Sequence, residues 1–225
     1  MNRRHRWVAA SVGLVACLLV VSGCTSVVGG AATWPGAVLE QVLLTPADFP
    51  PGVQFDRVAD DGAGPAGTGG APPMLSRPPG CSDGLTRVIA DSAERGPGSA
   101  GQIIAAYDGA RMVLTVMTSP LPLDRLAATA QRCAQFSTFF DPSDRGIPMT
   151  TTKLDPPRPS ALVYQQTMRL GGDEQSIYFA FENVGNWAVF GIAFPTPNPS
   201  ITAKGALPQT FLDAFSIQAQ RIAVR

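Results

Sequence analysis

Histidine, cysteine, lysine and carboxylate side chains are the residues here that could do chemistry, and their spacing excludes most of it. His5 is the only histidine in 225 residues. Ser–His–Asp and Cys–His catalysis both need a histidine base. Once a leader ending at Gly23 is removed, none remains. The two lysines, Lys153 and Lys204, lie outside any Ser-x-x-Lys setting. Zinc sites want clustered histidine and cysteine, which the chain lacks. Asp60-Asp61 and Asp141 to Asp144 supply carboxylates without an EF-hand spacing. Gly62 to Gly70 has the glycine of a phosphate loop but not the following lysine and helix. No cofactor, metal or catalytic residue is expected. Paired carboxylates remain the one route to hydrolysis that composition leaves open.

The cysteines carry more information. Arg3, Arg4 and Arg6 precede an apolar run from Trp7 to Val21, which ends in Val21-Ser22-Gly23-Cys24. A basic start, a short apolar middle and small residues before a cut mark an export signal. A cysteine immediately after the cut resembles the acylated first residue of a mature bacterial lipoprotein. Residues 1–23 are therefore read as signal peptide, and Cys24 as the lipidation site. Cys17 leaves with the leader. Cys81 and Cys133 are then the only pair able to form an intrachain bond, and an exported compartment is oxidising. A disulfide is expected, worth about 4 kcal/mol in the chain-entropy model. Removing the three arginines takes the balance of 17 basic and 17 acidic residues to a net charge of −3. That leaves no basic footprint for nucleic acid. The membrane is expected as a partner through the lipid alone, with the domain on the extracytoplasmic face of the cell membrane.

About 200 mature residues suit one domain. Residues 24–36 read as a tether and 37–225 as the domain. Thr45-Pro46-Ala47-Asp48 is a helix start, with a threonine cap and proline in the first turn. Residues 60–80 are rich in glycine and proline and read as a disordered loop. Leu85, Val88 and Ile89 mark one face of a short helix. Asp108-Gly109 between two strand-like runs signals a hairpin. A helix is expected over 124–136, with Leu126, Ala130 and Cys133 on its buried stripe. Strands follow at 147–154, 161–170, 175–182 and 187–194. A last helix, 208–222, turns Phe211, Phe215, Ala219 and Ile222 to one side. The expectation is a single α+β domain, a twisted antiparallel sheet of about five to six strands with helices on one face.

This order resembles the mycobacterial exported sensor domains of the PknH type and related lipoproteins. The resemblance rests on Leu43-Leu44-Thr45-Pro46-Ala47-Asp48, on Cys81 before the first hairpin, on the serine-proline break before the helix carrying Cys133, and on the terminal helix. It covers most of residues 37–225. It implies a twisted antiparallel sheet with a cleft, and extracytoplasmic binding or sensing without catalysis.

Pairing the last strands to keep apolar residues together sets Leu170 opposite Gln175 and Glu182 opposite Trp187. One face then carries Tyr164, Phe179, Phe181 and Phe190. The other carries Gln165, Thr167, Arg169, Ser176, Tyr178, Glu182 and Trp187, with Ala180, Gly191 and Ala193 as a shallow floor between them. Gln165, Thr167, Arg169, Tyr178 and Trp187 are the candidate face for a small ligand or an envelope protein. Two other functions fit the composition. A lipid or glycolipid carrier would have an internal apolar cavity lined by Phe179, Phe190 and Phe215. A cell-wall hydrolase would set two acids across a cleft.

Overall fold

The computed structural model describes residues 35–58, 74–93, 96 and 98–224. They belong to one compact unit, residues 33–225. Cys24, the expected leader and residues 60–73 of the expected loop lie outside the described residues. No helix among those described is long and apolar enough to cross a membrane.

The described residues form an antiparallel sheet of nine strands and four α-helices, so the sheet is larger than the five to six strands expected. In chain order the strands are β1 (Gln54–Val58), β2 (Leu75–Arg77), β3 (Ala100–Tyr107), β4 (Ala110–Met117), β5 (Gln135–Phe139), β6 (Ile147–Leu154), β7 (Leu162–Leu170), β8 (Asp173–Val184) and β9 (Trp187–Phe194). Their spatial order is β1-β3-β4-β9-β8-β7-β6-β5-β2. The helices are α1 (Pro35–Val42), α2 (Gly84–Ser92), α3 (Leu123–Arg132) and α4 (Gln209–Ala223), with a 3-10 turn at Pro46–Asp48.

The additional strands are β1, β2 and β5. β2 lies within the stretch read as a disordered loop and pairs with β5, Ser76 opposite Thr138. The helix expected to reach residue 136 ends at Arg132, and Phe136 belongs to β5. Aromatic and β-branched Phe136, Thr138 and Phe139 suit a pleated surface. Cys133 stops the helix where it bonds Cys81, Cα atoms 5.5 Å apart. Both cysteines are buried beside Phe136.

Register in the β7–β8–β9 meander follows from its turns. Gly171 and Gly172 have φ of +61° and +99°, and Gly185 has φ of +61°. These are the left-handed conformations that two-residue hairpin turns require. Leu170 therefore faces Asp173, and Val184 faces Trp187. Each pairing differs from the expected one by two residues. A slip of two keeps every side chain on its face.

Helices cover both faces of the sheet, not one. Val163, Ala180, Val189 and Ala193 pack with Phe211, Phe215 and Leu43 from α4 and the end of α1. Tyr164, Phe179, Phe181, Ala188 and Phe190 pack with Leu85, Ile89 and Leu126 from α2 and α3. Alternate residues of the central strands thus enter two separate cores. The fold is three layers, helix–sheet–helix.

This arrangement changes the reading of the small residues. Gly191 was expected on an open floor, but Phe211 of α4 lies on it. A Cβ at Gly191 would come within 2.6 Å of the Phe211 ring. Ala180 and Ala193 are fully buried in the same layer. Phe215 is on the α1/α4 side while Phe179 and Phe190 are on the α2/α3 side. The sheet separates them, so no single cavity is lined by all three.

Candidate functional site

The α4 sequence has two stripes. Phe211, Phe215, Gln218 and Ile222 recur at helical spacing and are buried. Thr210, Asp213, Ala214 and Ile217 form a second stripe at i, i+3, i+4 and i+7, and these line a cleft of about 370 Å³. Leu44, Asp48, Phe49 and Pro50 form the facing wall, and Tyr107 and Lys204 complete it. Ile217 is 43% exposed, an apolar side chain without a full covering.

The walls are held by directed bonds. Gln218 is fully buried. Its amide donates to the Val42 carbonyl at 2.8 Å, and its oxygen accepts the Leu44 N–H at 3.1 Å. One α4 side chain thereby satisfies the backbone where α1 ends and the facing wall begins. Three residues on, Arg221 donates to the Leu43 carbonyl at 3.0 Å and pairs with Asp48. The turn between β3 and β4 is tied to residues 196–205: Asp108 N–H donates to Ala203, Gly205 N–H to Asp108. Asp108 also pairs with Lys204.

The Asp48 carboxylate is fully committed. Oδ2 accepts the Thr45 N–H at 2.7 Å and the Thr45 hydroxyl at 2.8 Å, while Oδ1 takes Arg221. Thr45 holds the N-cap position expected from Thr45-Pro46-Ala47-Asp48, but its hydroxyl donates; the capping acceptor is Asp48, reaching back to the Thr45 N–H as in a capping box. Burial pushes the Asp48 carboxyl up. Donations from the Thr45 backbone, the Thr45 hydroxyl and Arg221 together outweigh that and hold it below the ordinary carboxylate range. Because the folded carboxyl is the stronger acid, the unfolded chain takes up the extra proton on acidification. Asp48 therefore stabilises the fold fully above its unperturbed 3.8. That contribution is lost as pH falls through the folded value. Urea midpoints should show it: the gap between wild type and Asp48→Asn is expected at pH 6 and should narrow progressively as pH falls below 3.8.

Tyr107 is 5% exposed. Burial pushes its hydroxyl above the ordinary phenol range, and the Asp213 carboxylate adds to the rise. The phenol therefore stays protonated at neutral pH and can donate as well as accept.

The face expected from sequence is divided. Gln165 donates to the Ser176 hydroxyl at 2.8 Å, Thr167 and Ser176 hydroxyls lie 3.0 Å apart, and Arg169 pairs with Glu174. These residues share one side of the β7–β8 hairpin. Tyr178 and Trp187 are partly buried against the α1/α4 core instead. Glu182, expected on the same open face, is 1% exposed. Arg158 Nε donates to both its oxygens at 2.8 and 2.9 Å, and Ser160 donates at 2.6 Å. It anchors the β6–β7 connection. A smaller hollow of about 200 Å³ lies by Met149, Met168, Ile177 and Phe194, and no charged residue lines it. The α4 cleft is the one where ionisable groups converge on apolar walls, as small-ligand sites do. Sequence reasoning missed it, although the second α4 stripe was a readable signal.

No protein-family model matches the chain, and no curated protein matches it significantly. Solved structures do. The extracellular domain of PknH from Mycobacterium tuberculosis superposes with a TM-score of 0.50 at 13% identity, over 84% of this chain and 97% of that one. An uncharacterized protein of Mycobacterium smegmatis, an Rv0999 ortholog, gives 0.48 at 14% identity, over 84% and 95%. At these identities the likeness to the PknH domain is one of fold: an α+β domain on an antiparallel sheet.

Proposed function

We propose that this chain is a lipid-anchored protein of the bacterial envelope whose α+β domain binds a small, apolar-bodied ligand in the α4 cleft without turning it over. The observation that carries this reading is the cleft itself, apolar walls with Tyr107, Asp48, Asp213 and Lys204 converging on them. The Val21-Ser22-Gly23-Cys24 pattern supports the anchor. A fold shared with an extracellular domain supports the extracytoplasmic side. Binding is favoured over hydrolysis because Asp48, one of the two acids at the cleft, has both oxygens engaged and is held ionised. A glycosidase needs an acid that keeps its proton.

Mass spectrometry of small molecules copurifying with the native lipidated protein tests this reading. A compound retained by wild type and lost from Ile217→Trp, which obstructs the cleft, is the expected result. Equal retention by both, or turnover of a wall glycan that one acid substitution abolishes, would refute it. In the same strain, Cys24→Ala should remain unprocessed and unacylated.

A further inference from the structure

We infer that the ligand of the α4 cleft is a cation with an apolar body, a primary or quaternary amine. This rests on the cleft-binding reading above and deepens it. The argument is how the charges at the rim are committed. Asp48 is neutralised by Arg221, with Thr45 on its other oxygen. Lys204 is neutralised by Asp108, whose second oxygen accepts the Asn198 N–H at 2.8 Å. Asp213 differs. It is exposed, and among the described residues its hydrogen-bond partner is the neutral Gln209 amide, at 2.6 Å. Among the described residues it enters none of the ion pairs. The cleft therefore keeps one uncompensated negative charge, and it borders Ala214, Ile217 and Leu44.

The three ligand charges fare differently against that rim. An ammonium gains a partner at Asp213 and meets the aromatic residues Tyr107 and Phe49 in the lining. A neutral head gives Asp213 nothing in exchange for water displaced from its carboxylate. A carboxylate meets Asp213 as a like charge and needs Lys204 to leave Asp108. The Tyr107 hydroxyl, raised first by burial and then by the Asp213 charge, lies on the same cleft.

Three probes with one apolar body separate these cases: n-hexylammonium, 1-hexanol and hexanoate, titrated into the full chain and followed by amide NMR shifts. Hexylammonium should bind about fivefold tighter than hexanol, the upper worth of an ion pair to an exposed carboxylate such as Asp213. Hexanoate should bind more weakly than either. Asp213→Asn should bring hexylammonium to within about twofold of hexanol while hexanol itself is unchanged. Asp173→Asn, an exposed acid at the start of β8, should leave the preference intact and so controls for net charge. Equal binding of all three probes at residues 44–50 and 210–217 would overturn the amine inference and leave the cleft standing. So would tightest binding by hexanoate, or a preference that survives Asp213→Asn. Shifts from no probe at those residues would overturn both.

Discussion

Phe211→Ala should lower the unfolding free energy by about 3–5 kcal/mol, as truncation of a buried aromatic does. Phe211 is fully buried between α4 and the sheet. Its ring lies over Gly191 of β9, so closely that an added Cβ would sit 2.6 Å from Cε2 and 2.9 Å from Cζ. Gly191→Ala should therefore also be destabilising, by about 1–3 kcal/mol from overpacking. The two substitutions act on one contact, and their costs should not add. In a Phe211→Ala background the ring that resists the new methyl is gone. Of the three nearest atoms, Leu114 Cδ2, 2.9 Å from the same position, still opposes it. Urea denaturation of the four proteins in the cycle would show Gly191→Ala costing markedly less in the truncated background. Strictly additive costs would mean that α4 does not seat on β9 through this pair.

Replacing Cys81 and Cys133 with serine should cost about 4 kcal/mol, from the loop-closure entropy restored to the unfolded chain. The bridge spans 52 residues of sequence and joins the segment after β2 to the end of α3. β2 is three residues long, pairs only with β5, and forms one edge of the sheet. Polar contacts and the Arg77 guanidinium over the Phe139 ring also hold that corner. Cys81 N–H donates to the Ser76 hydroxyl at 2.8 Å, and Arg132 donates to the Pro79 carbonyl at 3.0 Å. Amide exchange in the serine variant should accelerate first at Ser76 and Thr138, while the α4 core keeps its protection until global unfolding. Uniform acceleration across the domain would show that the staple serves the whole fold and not this corner.

Much of the architecture was legible because it follows from local periodicity. Asp108-Gly109 does turn β3 into β4. Strands β6 and β9 span the residues expected of them, and Phe211, Phe215, Ala219 and Ile222 of α4 are buried together. β1 and β2 escaped because neither carries a clear signal of its own, and β5 because its first aromatic residue, Phe136, reads into the preceding helix. β1 is a half-charged edge strand, β2 sits among prolines and glycines, and β5 follows a helix with only two residues between. Such strands form because a neighbour offers unpaired backbone groups, a tertiary effect that propensity does not record. The second helical layer was misread for a related reason. The Phe211 ring occupies the space above Gly191, and Ala180 and Ala193 are fully buried in the same core. From sequence alone, small residues on a strand look the same under a helix and under water.

The cleft was hardest to foresee. It joins residues 44–50, Tyr107, Lys204 and one stripe of α4, brought together only when α4 docks. Asp48 and Arg221 had no reason to be paired until Gln218 and the Val42–Leu44 backbone put them side by side. The β7–β8 face, by contrast, was found by alternation. It exists as a patch of hydrogen-bonded Gln165, Thr167 and Ser176, without the enclosing walls of the cleft.

Amide hydrogen exchange on the protein purified from its native cells, before and after solvent extraction, bears most directly on where this domain binds. Extraction should strip protection from residues 44–50 and 210–217 and leave 165–169 and 174–178 unchanged. A change confined to the β7–β8 hairpin, or no change anywhere, would contradict the account.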